Sequence, residues 1–346
     1  MEREFIVLNK ERNVNLTAYT QSVGGAYDYI TKRPAILVLP GGGYQYCSDR
    51  EADSVALAYV QAGYQAFVLR YSVGEHSVWP NPLCDVEDAL EMIRSREDWH
   101  VYEDKVAVIG FSAGGHLAAA AATMSKKRPN AAILGYAVTN SDVKGCNITA
   151  PDTTKYVDGK TCPCFVFATR TDELVPVQNS IDFIGALDKA NVAFESHIYA
   201  YGPHGFSVGN SSVYNPKEPL CKRAPHWVKD SIGWLKDIFG DFGVNGMTTP
   251  TCPLHTTANH EPYLSVDCTM EHIMQTSKGK AIIQHIFTES LEKTQLGQFG
   301  QSKDFSKNAA LAGKMKLRDC LGFLKVPNDI IEKMDMELRK IENIKK

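Results

Sequence analysis

No stretch of this chain approaches the roughly 20 consecutive apolar residues that a membrane-spanning helix requires. The first apolar run, Phe5-Ile6-Val7-Leu8, is too short for a signal-peptide core. A strong charge of one sign is missing as well. A formal net charge of −3 over 346 residues gives neither nucleic acid nor an acidic membrane surface an electrostatic foothold. Cysteine is present, but not as a framework: there are nine, an odd count, scattered through expected strands and helices. Cys162-Pro163-Cys164 lacks the two-residue spacing of a redox pair, so the thiols read as reduced and the expected location is the cytoplasm. No glycine-rich stretch continues into Gly-Lys-Ser/Thr or fits G-x-G-x-x-G, which sets aside a phosphate-cradling loop. What remains is a chain of ordinary globular composition, 44% hydrophobic and 22% charged, long enough for two domains.

Short apolar runs alternate with helical spacing. Residues 4–30 suggest antiparallel edge strands. Pro34–Leu39, Gln65–Arg70, Val106–Ile109, Ala131–Val138, Cys164–Ala168 and Ala193–Tyr199 read as strands, the most apolar of them covered on both faces. Helices are expected over about 49–62, 84–95, 113–124, 177–190 and up to Phe239. Repeated strand–helix–strand units predict an α/β fold, a mostly parallel central sheet with helices on both faces. Composition shifts near Asp241. Residues 1–240 are read as the catalytic domain, 241–268 as a linker rich in Gly, Thr, Pro and His, and 269–346 as a small all-α domain. Its helices are placed at Met270–Phe287, Ala309–Phe323 and Asn328–Ile344, and their amphipathic spacing suits packing on the first domain or in a homo-oligomer.

The chemistry centres on Gly110-Phe111-Ser112-Ala113-Gly114, which fits G-x-S-x-G between a buried strand and an alanine-rich helix. A serine on that turn sits in strained backbone, and small residues two positions either side avoid the crossing chain. A serine hydroxyl needs a base, and the base needs an orienting acid. Asp172 follows the strand at 164–168, and His204 follows the strand at 193–199, the order an elbow serine requires. Backbone donors for an oxyanion are expected from Ala113 and from Gly41-Gly42-Gly43, which follows the first core strand.

With these residues in place, the chain from about 5 to 240 resembles the α/β-hydrolase superfamily. It is most similar there to the hormone-sensitive-lipase-like and BD-FAE-like esterases, including bacterial acetyl esterases acting on hemicellulose sugars. The matching stretches are Leu39-Pro40-Gly41-Gly42-Gly43-Tyr44, Gly110–Ala118, Asp172-Glu173-Leu174-Val175-Pro176 and His204-Gly205-Phe206. The resemblance implies Ser112, Asp172 and His204 as a catalytic triad and Gly42, Gly43 and Ala113 as oxyanion donors. Pro40 stands where the lipase-like group carries the histidine of H-G-G-G, which favours the sugar-ester branch. The expected activity is a cofactor-free serine esterase that removes small acyl groups, acetyl first, from carbohydrates such as acetylated xylo-oligosaccharides. Feruloyl esterase, peptidase or formamidase chemistry on the same triad is the alternative, as is a non-catalytic binding protein of the same fold.

Expected partners are therefore a small-molecule or oligosaccharide ester, with no nucleic acid and no membrane. Tyr44 and Trp79 are the aromatics expected to stack on a sugar ring. Asn140-Ser141-Asp142 reads as either a site-lining or a capping turn, and His116 as structural. Cys252, His255, His260 and Cys268 match no metal-ligand spacing, so no metal is expected.

Overall fold

The computed structural model describes residues 1–253, 255–283, 313–323 and 325–343. The chain divides into two units, Met1–Leu254 and His255–Lys346. The strands of the first unit's main sheet are β1 (Glu2–Asn9), β2 (Val14–Thr20), β3 (Arg33–Leu39), β4 (Gln65–Arg70), β5 (Val101–Phe111), β6 (Ala131–Gly135), β7 (Cys164–Thr169) and β8 (Phe194–Tyr199). They form one 8-stranded sheet in the order β1-β2-β4-β3-β5-β6-β7-β8. Strands β3 to β8 run parallel, β2 pairs antiparallel with β4, and β1 pairs antiparallel with β2.

The helices of this unit are α1 (Asp53–Gln61), α2 (Asn81–Ser95), α3 (Ala113–Met124), α4 (Gln178–Lys189) and α5 (Trp227–Phe239). The period of two in a strand explains why the apolar runs are continuous. Leu37, Leu39, Val106, Val108, Leu134 and Val166 pack with α2, α3 and α4 on one face. Their neighbours Ile36, Val38, Ala107, Ile109, Ile133 and Phe167 pack with α1 and α5 on the other. In such a sheet, loops at the carboxyl ends of the strands converge at one edge. Residues 40–44, Ser112, Asp172 and His204 all lie there.

Element types follow the sequence reading, and the boundaries differ for local reasons. Helix α2 starts at Asn81, since Pro82 sits in its first turn, where a missing N–H does no harm. Strand β6 stops at Gly135, because Tyr136 turns the chain with φ 36°. The expected linker 241–268 is divided between the two units. Phe242–Gly243 and Gly246–Met247 form a small hairpin, Phe242 lies beneath the Arg33 guanidinium, and the amides of Thr251 and Cys252 donate to Asp237 O. Further on, Leu264, Val266 and Cys268 are fully buried in the second unit's core. Their alternation is a strand-like signal that the polar residues between them mask in a composition count.

The second unit has its own apolar core. Helices Met270–Met274, Leu317–Phe323 and Asn328–Leu338 contribute Ile273, Leu317, Leu321, Ile331, Met334 and Leu338. Pro327 immediately precedes the helix Asn328–Leu338, a position where its missing N–H does no harm. The expected helices also cover residues 284–287, 309–312 and 344, which lie outside the described residues. Among the described residues no helix is long and apolar enough to cross a membrane, and all nine cysteines are free.

Glycines fix how closely the elbow packs. A Cβ at Gly110 would lie 2.0 Å from Gly114 O, and one at Gly114 would lie 2.1 Å from Leu39 O. Both neighbours are backbone and cannot swing away. Gly233, on α5, has nothing within 4 Å of its would-be Cβ. Gly114→Ala is therefore expected to destabilise the fold by about 1–3 kcal/mol or more, whereas Gly233→Ala stabilises it by about 0.5–1 kcal/mol. Urea unfolding followed by circular dichroism checks both; equal shifts in one direction contradict the packing account.

Candidate active site

Ser112 joins β5 to α3 with φ 53° and ψ −119°, a conformation that side-chain-bearing residues rarely adopt. The strain is held by neighbours: Ser112 N–H donates to Gly135 O at 3.0 Å, and Ser112 O accepts from His116 N–H at 3.0 Å. Keeping such a residue costs on the order of 1–3 kcal/mol, and it turns the side chain out of the sheet edge. His204 Nε2 stands 2.9 Å from Ser112 Oγ, and His204 Nδ1 stands 2.7 Å from Asp172 Oδ2. The other Asp172 oxygen accepts the amides of Leu174 at 2.9 Å and Val175 at 2.8 Å. Both carboxylate oxygens are thus engaged, and the Asp172 side chain is buried to within 1%. An acceptor-only carboxylate directs the Nδ1 proton to itself and leaves Nε2 free to accept from the serine hydroxyl. The three residues sit on the loops after β5, β7 and β8 and meet as one hydrogen-bonded chain.

The glycine loop faces this chain. Gly42 has φ 127° and Gly43 φ 61°, and a Cβ on Gly42 would lie 2.1 Å from Tyr46 O. Among the described residues, the amides of Gly42 and Gly43 donate to no acceptor. Ala113 opens α3, where the first amides of a helix have no intrahelical partner. These three donors can therefore serve an oxyanion at the helix's positive end. Gly41 N–H, by contrast, is taken by the Glu51 carboxylate at 2.8 Å.

Side chains anchor the loop from behind. Tyr71 O–H donates to Pro40 O at 2.7 Å, and Tyr44 O–H donates to His116 Nδ1 at 2.6 Å. Tyr44 corrects the sequence expectation. Its ring is fully buried and its hydroxyl is engaged, so it supports the loop from within and offers no face to a sugar. The spacing that put it after the glycines could not say which way it points, because φ 60° turns it inward. The exposed aromatic of this loop is Tyr46. Trp79 is half-buried, with its ring edge-on to His116 at 5.7 Å.

His116 is fully buried; its Nε2–H donates to Pro151 O at 2.8 Å while Nδ1 accepts from Tyr44. Asn140 accepts from Asp142 N–H at 2.9 Å, so the 140–142 segment caps its own turn. In the second unit the His255 and His260 rings lie 4.9 Å apart, tilted by 42°, and Cys268 lies in the core. Among the described residues, no three His, Cys, Asp or Glu side chains gather as a metal-binding group.

Comparison with known proteins follows the geometry. The BD-FAE family model matches residues 28–150. An α/β-hydrolase enzyme from a Medee basin deep-sea metagenome library is 44% identical, over 69% of this chain and 98% of that one, with a TM-score of 0.64. The chain belongs to the α/β-hydrolase superfamily. Two curated relatives share part of this hydrolase. Endo-1,4-beta-xylanase B of Butyrivibrio fibrisolvens is 31% identical over 216 residues, 53% of this chain and 34% of the xylanase. An acetylxylan esterase of Xylanibacter ruminicola is 30% identical over 221 residues, 56% of this chain and 45% of the esterase. The hydrolase thus spans less than half the length of these two relatives.

Two predictions follow from the buried and the paired groups. Burial pushes the His116 imidazole from its ordinary 6.5 down to about 4. Between those values the unfolded chain binds a proton that the folded chain refuses. The resulting stability is complete above pH 6.5, falls as pH drops toward 4, and totals about 3 kcal/mol. In urea titrations at about pH 7 and about pH 4.5, the wild type should lose about 2–3 kcal/mol more than His116→Asn; parallel losses contradict this. Asp172→Asn keeps an acceptor for Leu174 and Val175 but can no longer hold the Nδ1 proton in place. It is expected to lower kcat for a simple ester by about 10³–10⁴-fold with unchanged circular dichroism; a loss below tenfold removes Asp172 from the triad.

Proposed function

We propose that the first unit is a serine esterase that releases small acyl groups, acetyl foremost, from carbohydrates such as acetylated xylo-oligosaccharides. The observation that carries this reading is the chain Ser112 Oγ–His204 Nε2–His204 Nδ1–Asp172 Oδ2, at 2.9 and 2.7 Å. His204 Nε2 takes the Ser112 proton as Oγ attacks the ester carbonyl, and Asp172 stabilises the imidazolium that forms. The amides of Gly42, Gly43 and Ala113 receive the negative charge developing on the carbonyl oxygen. His204 then passes its proton to the leaving sugar hydroxyl, and an acyl-Ser112 remains. Water, deprotonated by the same nitrogen, attacks this ester; the acid leaves and the serine is restored. No cofactor is needed to balance either half.

A preference for acetyl is supported by the acetylxylan esterase among the relatives. His116 lies one helical turn beyond Ser112, and the Tyr44 and Trp79 rings meet it edge-on at 5.7 Å each. The carbohydrate assignment is supported by the acetylxylan esterase and the xylanase among the relatives. Expected contacts for the sugar are the half-buried Trp79, as read from the sequence, and the exposed Tyr46.

Purified protein and Ser112→Ala are compared on p-nitrophenyl acetate, p-nitrophenyl octanoate, a feruloyl ester and acetylated xylo-oligosaccharides. The wild type should cleave acetate over octanoate and release acetate from the oligosaccharides, and Ser112→Ala should lose at least about 10³-fold. Equal rates for the two proteins end the catalytic reading. Turnover of the simple acetate without release from oligosaccharides, or a preference for the feruloyl ester, replaces the substrate.

A further inference from the structure

We propose that Glu51 is a positioning residue for catalysis, one carboxylate that sets the oxyanion loop and the His204 loop in register. The proposal rests on the triad reading above. Glu51 is 3% exposed and sits in the short turn Asp49–Glu51 ahead of α1, away from every motif that marks the site in the sequence. Its Oε2 accepts Gly41 N–H at 2.8 Å, and its Oε1 accepts Tyr136 O–H at 2.7 Å. Tyr136 Oη accepts Ser207 N–H at 3.0 Å, so its single proton is directed to Glu51. Both carboxylate oxygens act as acceptors.

Each arm ends on a different half of the chemistry. One holds Gly41 and engages its amide, so the loop's donors without an acceptor among the described residues are those of Gly42 and Gly43. The other runs through Tyr136, whose ring meets His204 edge-on at 5.0 Å and whose hydroxyl holds Ser207, three residues after the base. The His204 loop carries left-handed backbone at Gly205, φ 72°, and Ser207, φ 50°, so it depends on such ties. The preceding residue adds a third: Ser207 O–H donates to Arg50 O. Burying a carboxylate is costly unless donors satisfy it. Here one donor is Gly41 of the glycine loop and the other is Tyr136, which in turn holds the His204 loop. The spacing of those two loops decides whether proton transfer and oxyanion binding act on the same carbonyl. Tyr136 is held as a donor too, since burial and the neighbouring Glu51 push its hydroxyl well above the ordinary value.

The full chain is assayed with p-nitrophenyl acetate as wild type, Ser112→Ala, Glu51→Gln, Tyr136→Phe and the Glu51/Tyr136 double variant. Rates are expressed per site labelled to completion by a fluorophosphonate. Glu51→Gln and Tyr136→Phe are each expected to lower kcat per labelled site by about 10–100-fold, with KM within about twofold of wild type. The double variant should be no worse than the weaker single one, because both act through one carboxylate. If Glu51→Gln does not fold, Tyr136→Phe, which keeps the Gly41 arm, decides alone. Wild-type kcat per site in a folded variant, or a loss seen only as fewer labelled sites, overturns the proposal. Either result beside an inactive Ser112→Ala leaves the triad standing; a fully active Ser112→Ala removes both.

Discussion

The contact on which this site depends is backbone on backbone. At Gly114 the start of α3 crosses the end of β3 so closely that a methyl group would fall 2.1 Å from Leu39 O and 2.4 Å from Pro40 O. That crossing sets Ser112 close against the glycine loop. It explains why the residues that open the helix, Ala113-Gly114-Gly115, are small. Bulk would push the helix off the sheet and carry the Ala113 amide away from the glycine loop. The left-handed Ser112 is a consequence of the same geometry: the chain must reverse from strand to helix within one residue.

The loop that crosses the helix has almost no side chains of its own, so its shape is imposed from outside. Tyr71 holds Pro40, Glu51 holds Gly41, and His116 holds the hydroxyl of Tyr44. All three anchors are buried, where a hydrogen bond is stronger and a broken one dearer than in water. His116 can serve only as neutral imidazole, since one nitrogen must accept while the other donates. Burial holds it in that form, and the protonation state of a residue outside the triad thereby fixes the shape of the oxyanion loop.

The fold was legible because two periodicities coincide with it. Continuous apolar runs marked β3 to β7, and strand-to-helix alternation implied their parallel order. Ser112, Asp172 and His204 were legible because each follows directly on a strand, and the order of the three along the chain is itself a constraint. Tyr44 was misjudged, since adjacency to a glycine loop says nothing about the side a ring takes when φ is positive. Glu51 and Tyr136 were invisible for another reason. Neither belongs to a motif, and their pairing spans 85 positions. The division of 241–268 was masked by polar composition, although Leu264, Val266 and Cys268 alternate as a buried segment does.

Every residue given a catalytic or supporting part here lies between Leu39 and Ser207, inside the first unit. The strained positions, Tyr44, Ser112, Tyr136 and Ser207, fall on four loops that do not touch in sequence. Left alone, each would relax independently and the 2.9 Å serine–histidine contact would be one geometry among many. Ties between loops remove that freedom before the substrate arrives. A preorganised site need not reorganise as charge develops. The buried carboxylate between the loops is then the natural element to carry the coupling: it is the one side chain that both the oxyanion loop and, through Tyr136, the histidine loop lean on.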